Sequence, residues 1–146
     1  MADQATLSMR IEAPLDAIRE VLLDFEKYPT WARDIKSVSV LTRDADGVAT
    51  DVRFRAAAMG RSTSYTLRYD HSGAPLRLAW LLAEGDIMRQ LDGAYEFEVL
   101  DDSATMVTYH LRVDLVVPLP GFVKRRAETR IVNTALRELR DHVHSH

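Results

Sequence analysis

Alternation of apolar and polar residues with a period of two runs through most of the chain and predicts seven β-strands. In the first, over residues 6–12, Leu7, Met9 and Ile11 share one face. Further alternating segments lie at about 36–42, 52–58, 64–69, 76–83, 91–99 and 107–117, separated by short turns. Such alternation is typical of strands with one buried face, and short connections favour antiparallel neighbours. The pattern therefore predicts a meandering antiparallel sheet.

Helical spacing of apolar residues replaces this alternation in two places. After Pro14, apolar residues from Ile18 to Phe25 predict a helix that stops before Tyr28-Pro29, with a short piece around Trp31 behind it. The segment from Pro118 to about residue 143 predicts a long amphipathic helix, since apolar residues recur at steps of three and four. Its apolar stripe consists of Ile131, Val132, Ala135, Leu136, Leu139 and Val143, and its charged face includes Lys124, Arg125, Arg126, Glu128, Arg130 and Glu138.

These elements combine into an α+β fold in a single domain, residues 1–146. A long helix with one apolar stripe needs a partner surface, and the face of the sheet is the one available. We therefore predict a curved seven-stranded antiparallel sheet wrapped around the C-terminal helix, with two short helices between strands 1 and 2. One helix is narrow for so wide a concave face, and this predicts a cavity between the two.

Composition excludes several classes of function. Charged residues make up 28% of the chain and the formal net charge is -3, so overall charge does not favour nucleic-acid binding. The absence of cysteine excludes disulfides, cysteine–zinc sites and thiol nucleophiles. The sequence shows neither a signal-peptide pattern nor an apolar run long enough to span a bilayer. We accordingly expect a cytoplasmic protein.

Aromatic residues are concentrated on the inward parity of the strands. Two interpretations stay open: the rings form a pocket wall whose hydroxyls orient a ligand, or they are ordinary core. Tyr28, Pro29 and Trp31 similarly suit either a lid contact or an anchor for the helical hairpin. The inward aromatic set comprises Phe54, Tyr65, Tyr69, Trp80, Tyr95, Phe97 and Tyr109.

Groups suited to catalysis or metal binding are scarce. The inward parity of the strands carries no Asp, Glu, His, Arg or Lys, and buried charge is costly without a partner. His142 and His146 are spaced as metal ligands but lie at the C-terminus, so we expect no metal or other cofactor. The remaining candidates for acid–base chemistry lie in loops, where we expect them to be solvated: Arg33, Asp34, Asp86, Arg89 and Gln90.

Several motifs resemble one known superfamily over essentially the whole chain. They are Ala13-Pro14, Phe25-Glu26-x-Tyr28-Pro29-x-Trp31, Trp80 with Gly85-Asp86, Gly93-x-Tyr95-x-Phe97, Thr105-x-Val107-x-Tyr109 and Val117-Pro118-Leu119-Pro120-Gly121-Phe122. Together they resemble the START-like (SRPBCC) helix-grip superfamily of bacterial and other proteins, in its polyketide cyclase/dehydrase and lipid-transport branch. The resemblance implies an apolar tunnel between sheet and C-terminal helix that holds a hydrophobic small molecule. The residues expected to line it are Trp31, Phe54, Tyr65, Tyr69, Trp80, Tyr95, Phe97, Tyr109, Phe122, Ile131 and Ala135.

Three functions are compatible with these observations. The leading expectation is non-catalytic binding or transport of a lipid, quinone or polyketide, because the inward aromatic face carries no charge. The alternative is a polyketide cyclase, aromatase or dehydratase acting on a poly-β-ketone in the same tunnel, which needs a polar group inside. A filled core with partners on the surface is the third. The basic cluster of Lys124, Arg125, Arg126 and Arg130 suits either transient contact with an anionic membrane or simple solvation; the oligomeric state stays open.

Overall fold

A computed structural model describes residues 3–58, 61–116 and 121–145, with side chains for 4–57, 62–116 and 128–145. The chain begins with β1 (Asp3–Ile11), α1 (Leu15–Leu23) and a 3-10 helix (Phe25–Thr30). Six further strands follow, and the last element is the long helix α2. Their bounds are β2 (Ile35–Arg43), β3 (Ala49–Ala58), β4 (Arg61–Asp70), β5 (Arg77–Gly85), β6 (Met88–Asp101), β7 (Ala104–Leu115) and α2 (Gly121–His144).

The seven strands form one antiparallel sheet in the order β1-β7-β6-β5-β4-β3-β2. Strands β2 to β7 follow each other as a meander, whereas β1 pairs with the last strand, β7. The two short helices therefore carry the chain from one edge of the sheet to the other. This arrangement confirms the predicted helix-grip fold and its two helices between strands 1 and 2.

The core lies between the inner face of the sheet and the helices. Helix α2 packs against β1 and β7 and also contacts α1. Its buried stripe consists of Val132, Leu136, Leu139 and Val143, which confirms most of the stripe predicted from spacing. Because α2 covers only one side of the curved sheet, the inner faces of the middle strands are left facing open space.

Several side chains in the described part of the chain differ from the predicted burial. Leu76 is 52% exposed because β5 begins only at Arg77, and Val99 is 54% exposed because the β6–β7 hairpin extends beyond the core. On α2, Ile131 is 38% exposed although it was predicted on the buried stripe, whereas Glu128 is only 5% exposed although it was predicted on the charged face. The buried stripe is thus rotated toward Glu128 and away from Ile131.

The first helix also ends earlier than predicted. Helix α1 stops at Leu23, and the chain continues as a 3-10 helix that includes Pro29. The Tyr28 hydroxyl donates a hydrogen bond to the carbonyl oxygen of Leu22 at 2.6 Å and ties this turn to the end of α1. A proline is tolerated in such a short turn because few backbone donors are needed there.

Candidate functional site

A cavity of about 600 Å³ lies between the inner face of the sheet, the segment after the 3-10 helix, and α2. Strands β3 to β7 supply its aromatic and aliphatic walls, and α2 supplies one side through Ile131, Thr134, Ala135 and Glu138. The volume falls within the range of about 300–1,000 Å³ that is typical of small-molecule sites. This space lies between the sheet and the helix, where the sequence predicts one, and its use as a ligand site stays a prediction.

The inner wall is a set of mutually packed rings centred on Trp80. Its ring centroid lies 5.9 Å from that of Tyr69, 5.5 Å from Tyr95 and 5.6 Å from Tyr109, and Tyr95 and Tyr109 are 4.6 Å apart. Such edge-to-face and tilted contacts hold aromatic side chains in fixed orientations. The wall is therefore rigid, with one side in the core and the other on the cavity.

Gly93 makes room for the Trp80 indole. A Cβ at this position would lie 2.7 Å from Cζ2 of Trp80 and 2.5 Å from the backbone oxygen of His110. Both distances are far below van der Waals contact. Glycine is therefore required at position 93, because both the Trp80 ring and the His110 backbone oxygen lie too close for a Cβ. This explains the glycine of the Gly93-x-Tyr95 motif.

Four tyrosine hydroxyls on the cavity wall have no protein partner within the described part of the chain. They belong to Tyr65, Tyr69, Tyr95 and Tyr109. Burial raises the pKa of each of these phenols above its ordinary value near 10, because the phenolate would lose its hydration. At neutral pH the cavity therefore presents neutral hydroxyls that can both donate and accept.

Charged side chains line the cavity only at its rim, as far as the described residues show. They are Asp34, just before β2, and Arg130 and Glu138 on α2. A backbone hydrogen bond from Ala57 N to the Asp34 carbonyl oxygen, 2.9 Å long, fixes Asp34 beside β3. The negative charge of Asp34 is a second cause, after burial, of the raised pKa of Tyr65.

The segment after the 3-10 helix is joined to α2 by two contacts at this rim. The backbone N–H of Arg33 donates to Oε2 of Glu138 at 3.1 Å. The Trp31 indole stacks on the His142 ring, with centroids 5.8 Å apart and planes at 17°. Trp31 and Glu138 both line the cavity, so these two contacts close one side of it.

Comparison with known proteins identifies the family. The family model described as polyketide cyclase/dehydrase and lipid transport matches residues 11–140. The chain belongs to this family. Comparison with proteins of curated function gives no significant match.

Solved structures with the same fold include a START superfamily protein and aromatase/cyclase proteins. A START superfamily protein from Mycobacterium smegmatis is 21% identical, with 97% of both chains covered and a TM-score of 0.90. The Zhui aromatase/cyclase from Streptomyces sp. R1128 is 18% identical, with 99% of this chain and 94% of that chain covered and a TM-score of 0.83. The di-domain ARO/CYC protein BexL is 18% identical, covering 97% of this chain and 46% of that chain, with a TM-score of 0.74. At these identities the likeness shows the helix-grip fold.

The residues predicted from the family resemblance fall mostly on this cavity. Phe97 is an exception: it is buried behind Tyr95, with stacked rings 6.4 Å apart, and does not line the cavity. The side chain of Phe122 lies outside the described residues. Those that line it are Trp31, Phe54, Tyr65, Tyr69, Trp80, Tyr95, Tyr109, Ile131 and Ala135. Their role in ligand binding stays a prediction.

Some residues of the cavity were missed by sequence reasoning. Thr134 and Glu138 lie three and seven positions after Ile131 and so share its face of α2, a spacing that could have revealed them. Asp34 and Arg130 were expected to be solvated, and both are exposed, but they also line the rim. Thr63 was assigned no role and lies on the wall.

The other loop candidates do not reach the cavity. Asp86 accepts hydrogen bonds from Thr63 Oγ1 at 2.5 Å and from Ser64 N at 3.0 Å, and the first of these is the main cause of its lowered pKa. The Gln90 amide donates to Asp92 Oδ2 at 2.9 Å, and Arg89 is exposed. Asp86 therefore fastens the β5–β6 turn to β4 and remains an anion, which is unsuited to act as a general acid.

A second polar cluster lies on the outer face of the sheet. His110 bridges Thr6, at 3.1 Å from its Nδ1, and Glu96, which contacts its Nε2. The order hydroxyl–imidazole–carboxylate is that of a hydrolytic triad, yet these side chains stand on paired strands whose backbone N–H groups are used within the sheet. We interpret them as cross-strand pairs. In the part of the chain that the structure describes, no group of acidic and histidine side chains could hold a metal ion.

Proposed function

We propose that this member of the family binds a hydrophobic small molecule in the cavity between sheet and α2 and carries it without chemical change. The observation that supports this most directly is an aromatic, largely uncharged cavity of about 600 Å³. Burying about 300 Å² of apolar ligand surface there contributes roughly 7 kcal/mol at about 25 cal/mol per Å². A Kd of 1 μM needs about 8 kcal/mol, and part of the apolar contribution is lost to immobilising the ligand, so apolar burial alone gives an affinity weaker than micromolar.

The raised pKa of the cavity tyrosines favours binding over catalysis. General acid–base catalysis is efficient when the pKa of the catalytic group lies near the working pH. Burial raises the pKa of the cavity tyrosines, so that it lies further from neutral pH than that of a free tyrosine. These phenols are suited to hydrogen-bond a ligand in its ground state.

A polyketide cyclase or dehydratase is the second candidate. The observation in its favour is that Asp34 and Tyr65 line the same cavity and that the Asp34 charge contributes to the raised pKa of the Tyr65 phenol. A carboxylate base beside a hydroxyl donor could enolise a ketone and polarise its oxygen. If so, Asp34→Asn abolishes turnover of a poly-β-ketone, while a pure carrier shows no turnover in either form.

Filling the cavity tests the proposal. Ala135→Trp places an indole into the space from α2, whereas Thr129→Trp adds the same group at an exposed position of the same helix. We expect native mass spectrometry to show a stoichiometric apolar adduct, or uptake of a short-chain quinone, with the unchanged protein and Thr129→Trp. Ala135→Trp should lose it while keeping the native circular dichroism spectrum. Equal retention by both variants would place the ligand elsewhere.

Two further expectations belong to the proposed carrier. No helix within the described ranges is long and apolar enough to cross a bilayer. We propose a cytoplasmic protein that meets an anionic membrane briefly, with Arg130 at the rim facing the lipid. Co-sedimentation with anionic vesicles should be weak, salt-sensitive and reduced by Arg130→Glu. Binding to neutral and anionic vesicles alike would contradict this.

A further inference from the structure

The chemistry of the cavity wall restricts the ligand further than apolar shape does. Tyr65, Tyr69, Tyr95 and Tyr109 each bring a hydroxyl that no described protein group satisfies. The indole nitrogens of Trp31 and Trp80 are buried and likewise have no acceptor in the described part of the chain. Trp80 is 6% exposed and lines the cavity. The wall therefore holds several hydrogen-bond donors that no described protein group satisfies.

Buried donors in native proteins normally have partners. A hydrocarbon ligand would cover these hydroxyls and leave them unsatisfied, whereas ketone, quinone or ester oxygens would accept from them. Ordered water could satisfy them in the empty cavity, but a ligand that displaces such water must supply equivalent acceptors. An acceptor-bearing ligand is therefore favoured over a plain hydrocarbon.

The charges on the wall disfavour an anionic ligand. No Lys, Arg or His side chain lies among the described strand residues that line the cavity. At the rim, Arg130 is accompanied by two carboxylates, Asp34 and Glu138. A fatty-acid carboxylate or a phosphate would therefore leave water without gaining a matching positive charge.

We propose that the ligand is a neutral, mainly apolar molecule with carbonyl-type acceptors, which Tyr95, Tyr109 and Tyr69 bind beside Trp80. This inference rests on the proposed function and specifies the ligand class of the same cavity. The raised pKa of these phenols supports it, because they remain donors over the whole physiological range. It also distinguishes carbonyl compounds from fatty acids and phospholipids, which the cavity size alone would admit.

Three matched probes test separately whether the ligand needs carbonyl acceptors and whether it must be uncharged. Menadione and 2-methylnaphthalene share a bicyclic frame and differ in the two carbonyl groups, whereas 2-naphthoate carries a charge. Menadione forms no thiol adduct here, since the chain has no cysteine. We expect menadione to bind about ten-fold more tightly than 2-methylnaphthalene, as two neutral hydrogen bonds allow, and 2-naphthoate to bind most weakly.

Tyrosine-to-phenylalanine variants identify which hydroxyls donate hydrogen bonds to the ligand. Tyr95→Phe with Tyr109→Phe should weaken menadione about ten-fold and leave 2-methylnaphthalene unchanged. Tyr28→Phe is the matched control: Tyr28 also lines the cavity, but its hydroxyl already donates to the Leu22 carbonyl. It should leave the ratio of the two affinities unchanged.

Each result has a defined meaning. Equal binding of menadione and 2-methylnaphthalene, or a ratio unaffected by the tyrosine variants, overturns the inference and leaves the proposed function intact. Tighter binding of 2-naphthoate overturns it in favour of an anionic ligand. Failure of all three probes, in a protein that also carries no apolar adduct, overturns both. A ratio lowered by the double variant and not by Tyr28→Phe supports the assignment.

Discussion

The buried hydroxyl of Thr105 holds the turn between β1 and α1 in place. It is fully buried at the beginning of β7, and its Oγ1 donates to the carbonyl oxygen of Ala13 at 3.0 Å. Ala13 lies at the turn from β1 into α1, directly before Pro14. The bond therefore holds the start of the helical hairpin against the sheet and satisfies a carbonyl that the turn leaves free.

Thr105→Val should destabilise the protein by about 1–3 kcal/mol, because the substitution keeps the shape but leaves the Ala13 carbonyl buried without a donor. The control is Thr108→Val on the same strand. Thr108 is half-exposed and its Oγ1 lies 2.7 Å from Oγ of exposed Ser8, so its loss should cost about 0.5 kcal/mol or less. Urea denaturation of the three proteins measures the difference; equal midpoints for both variants would contradict the role of Thr105.

At the scale of elements, the segment between the 3-10 helix and β2 depends on α2 for its position. Arg33 N donates to Glu138 Oε2, and Trp31 stacks on His142. The stretch is short and is otherwise held by local turns, such as Trp31 N to the Tyr28 carbonyl, and by the bond from Ala57 N to the Asp34 carbonyl. Because Trp31 and Glu138 also line the cavity, movement of this segment would open it.

Glu138→Leu should increase amide hydrogen exchange in a peptide covering residues 25–35 by roughly three- to ten-fold, the effect of losing about one hydrogen bond. Glu138→Gln retains an acceptor oxygen and should exchange like the unchanged protein. Hydrogen-exchange mass spectrometry measures the exchange rate of this peptide in both variants, with a peptide of β6 as an internal reference. Equal exchange in the two variants would show that stacking on His142 holds the segment by itself.

The elements themselves were largely predictable from periodicity, because the seven strands each bury one face. Periodicity failed at the ends of elements, as at Leu76, which precedes β5, and at Val99, near the β6–β7 turn. It also failed on α2, where Ile131 borders the cavity and Glu128 is buried. An apolar stripe marks a helix face, but it cannot distinguish contact with the core from contact with an open cavity. The position of Asp34 and Glu138 at the rim was not predicted, because it depends on how α2 meets the loop before β2.

At the scale of the whole molecule, every tyrosine of the chain lies around one interior, four of them on the inward face of the strands and Tyr28 on the 3-10 helix. The chain has five tyrosines, and burial raises the pKa of each: Tyr28, Tyr65, Tyr69, Tyr95 and Tyr109. A raised pKa in an acidic group means that the folded state keeps a proton that the unfolded state loses. Folding is therefore linked to the protonation of all five.

The sign of this linkage predicts alkaline unfolding. Below the unfolded pKa near 10 both states are protonated and stability is unaffected; as pH rises above 10, the unfolded chain releases protons and becomes favoured. Above pH 10, each tyrosine that the fold keeps protonated lowers the free energy of unfolding by about 1.4 kcal/mol per pH unit. With five such tyrosines, the free energy of unfolding falls steeply with pH.

We therefore expect tyrosinate absorbance and the loss of far-ultraviolet circular dichroism to appear in one cooperative transition above about pH 10. In strong denaturant the same chain should titrate smoothly with the ordinary tyrosine pKa, which serves as the control. Gradual tyrosinate formation near pH 10 with an intact circular dichroism spectrum would show that water hydrates the phenolates through the cavity. It would then follow that burial does not keep these phenols neutral in the empty cavity, and that a ligand must displace this water to reach the wall.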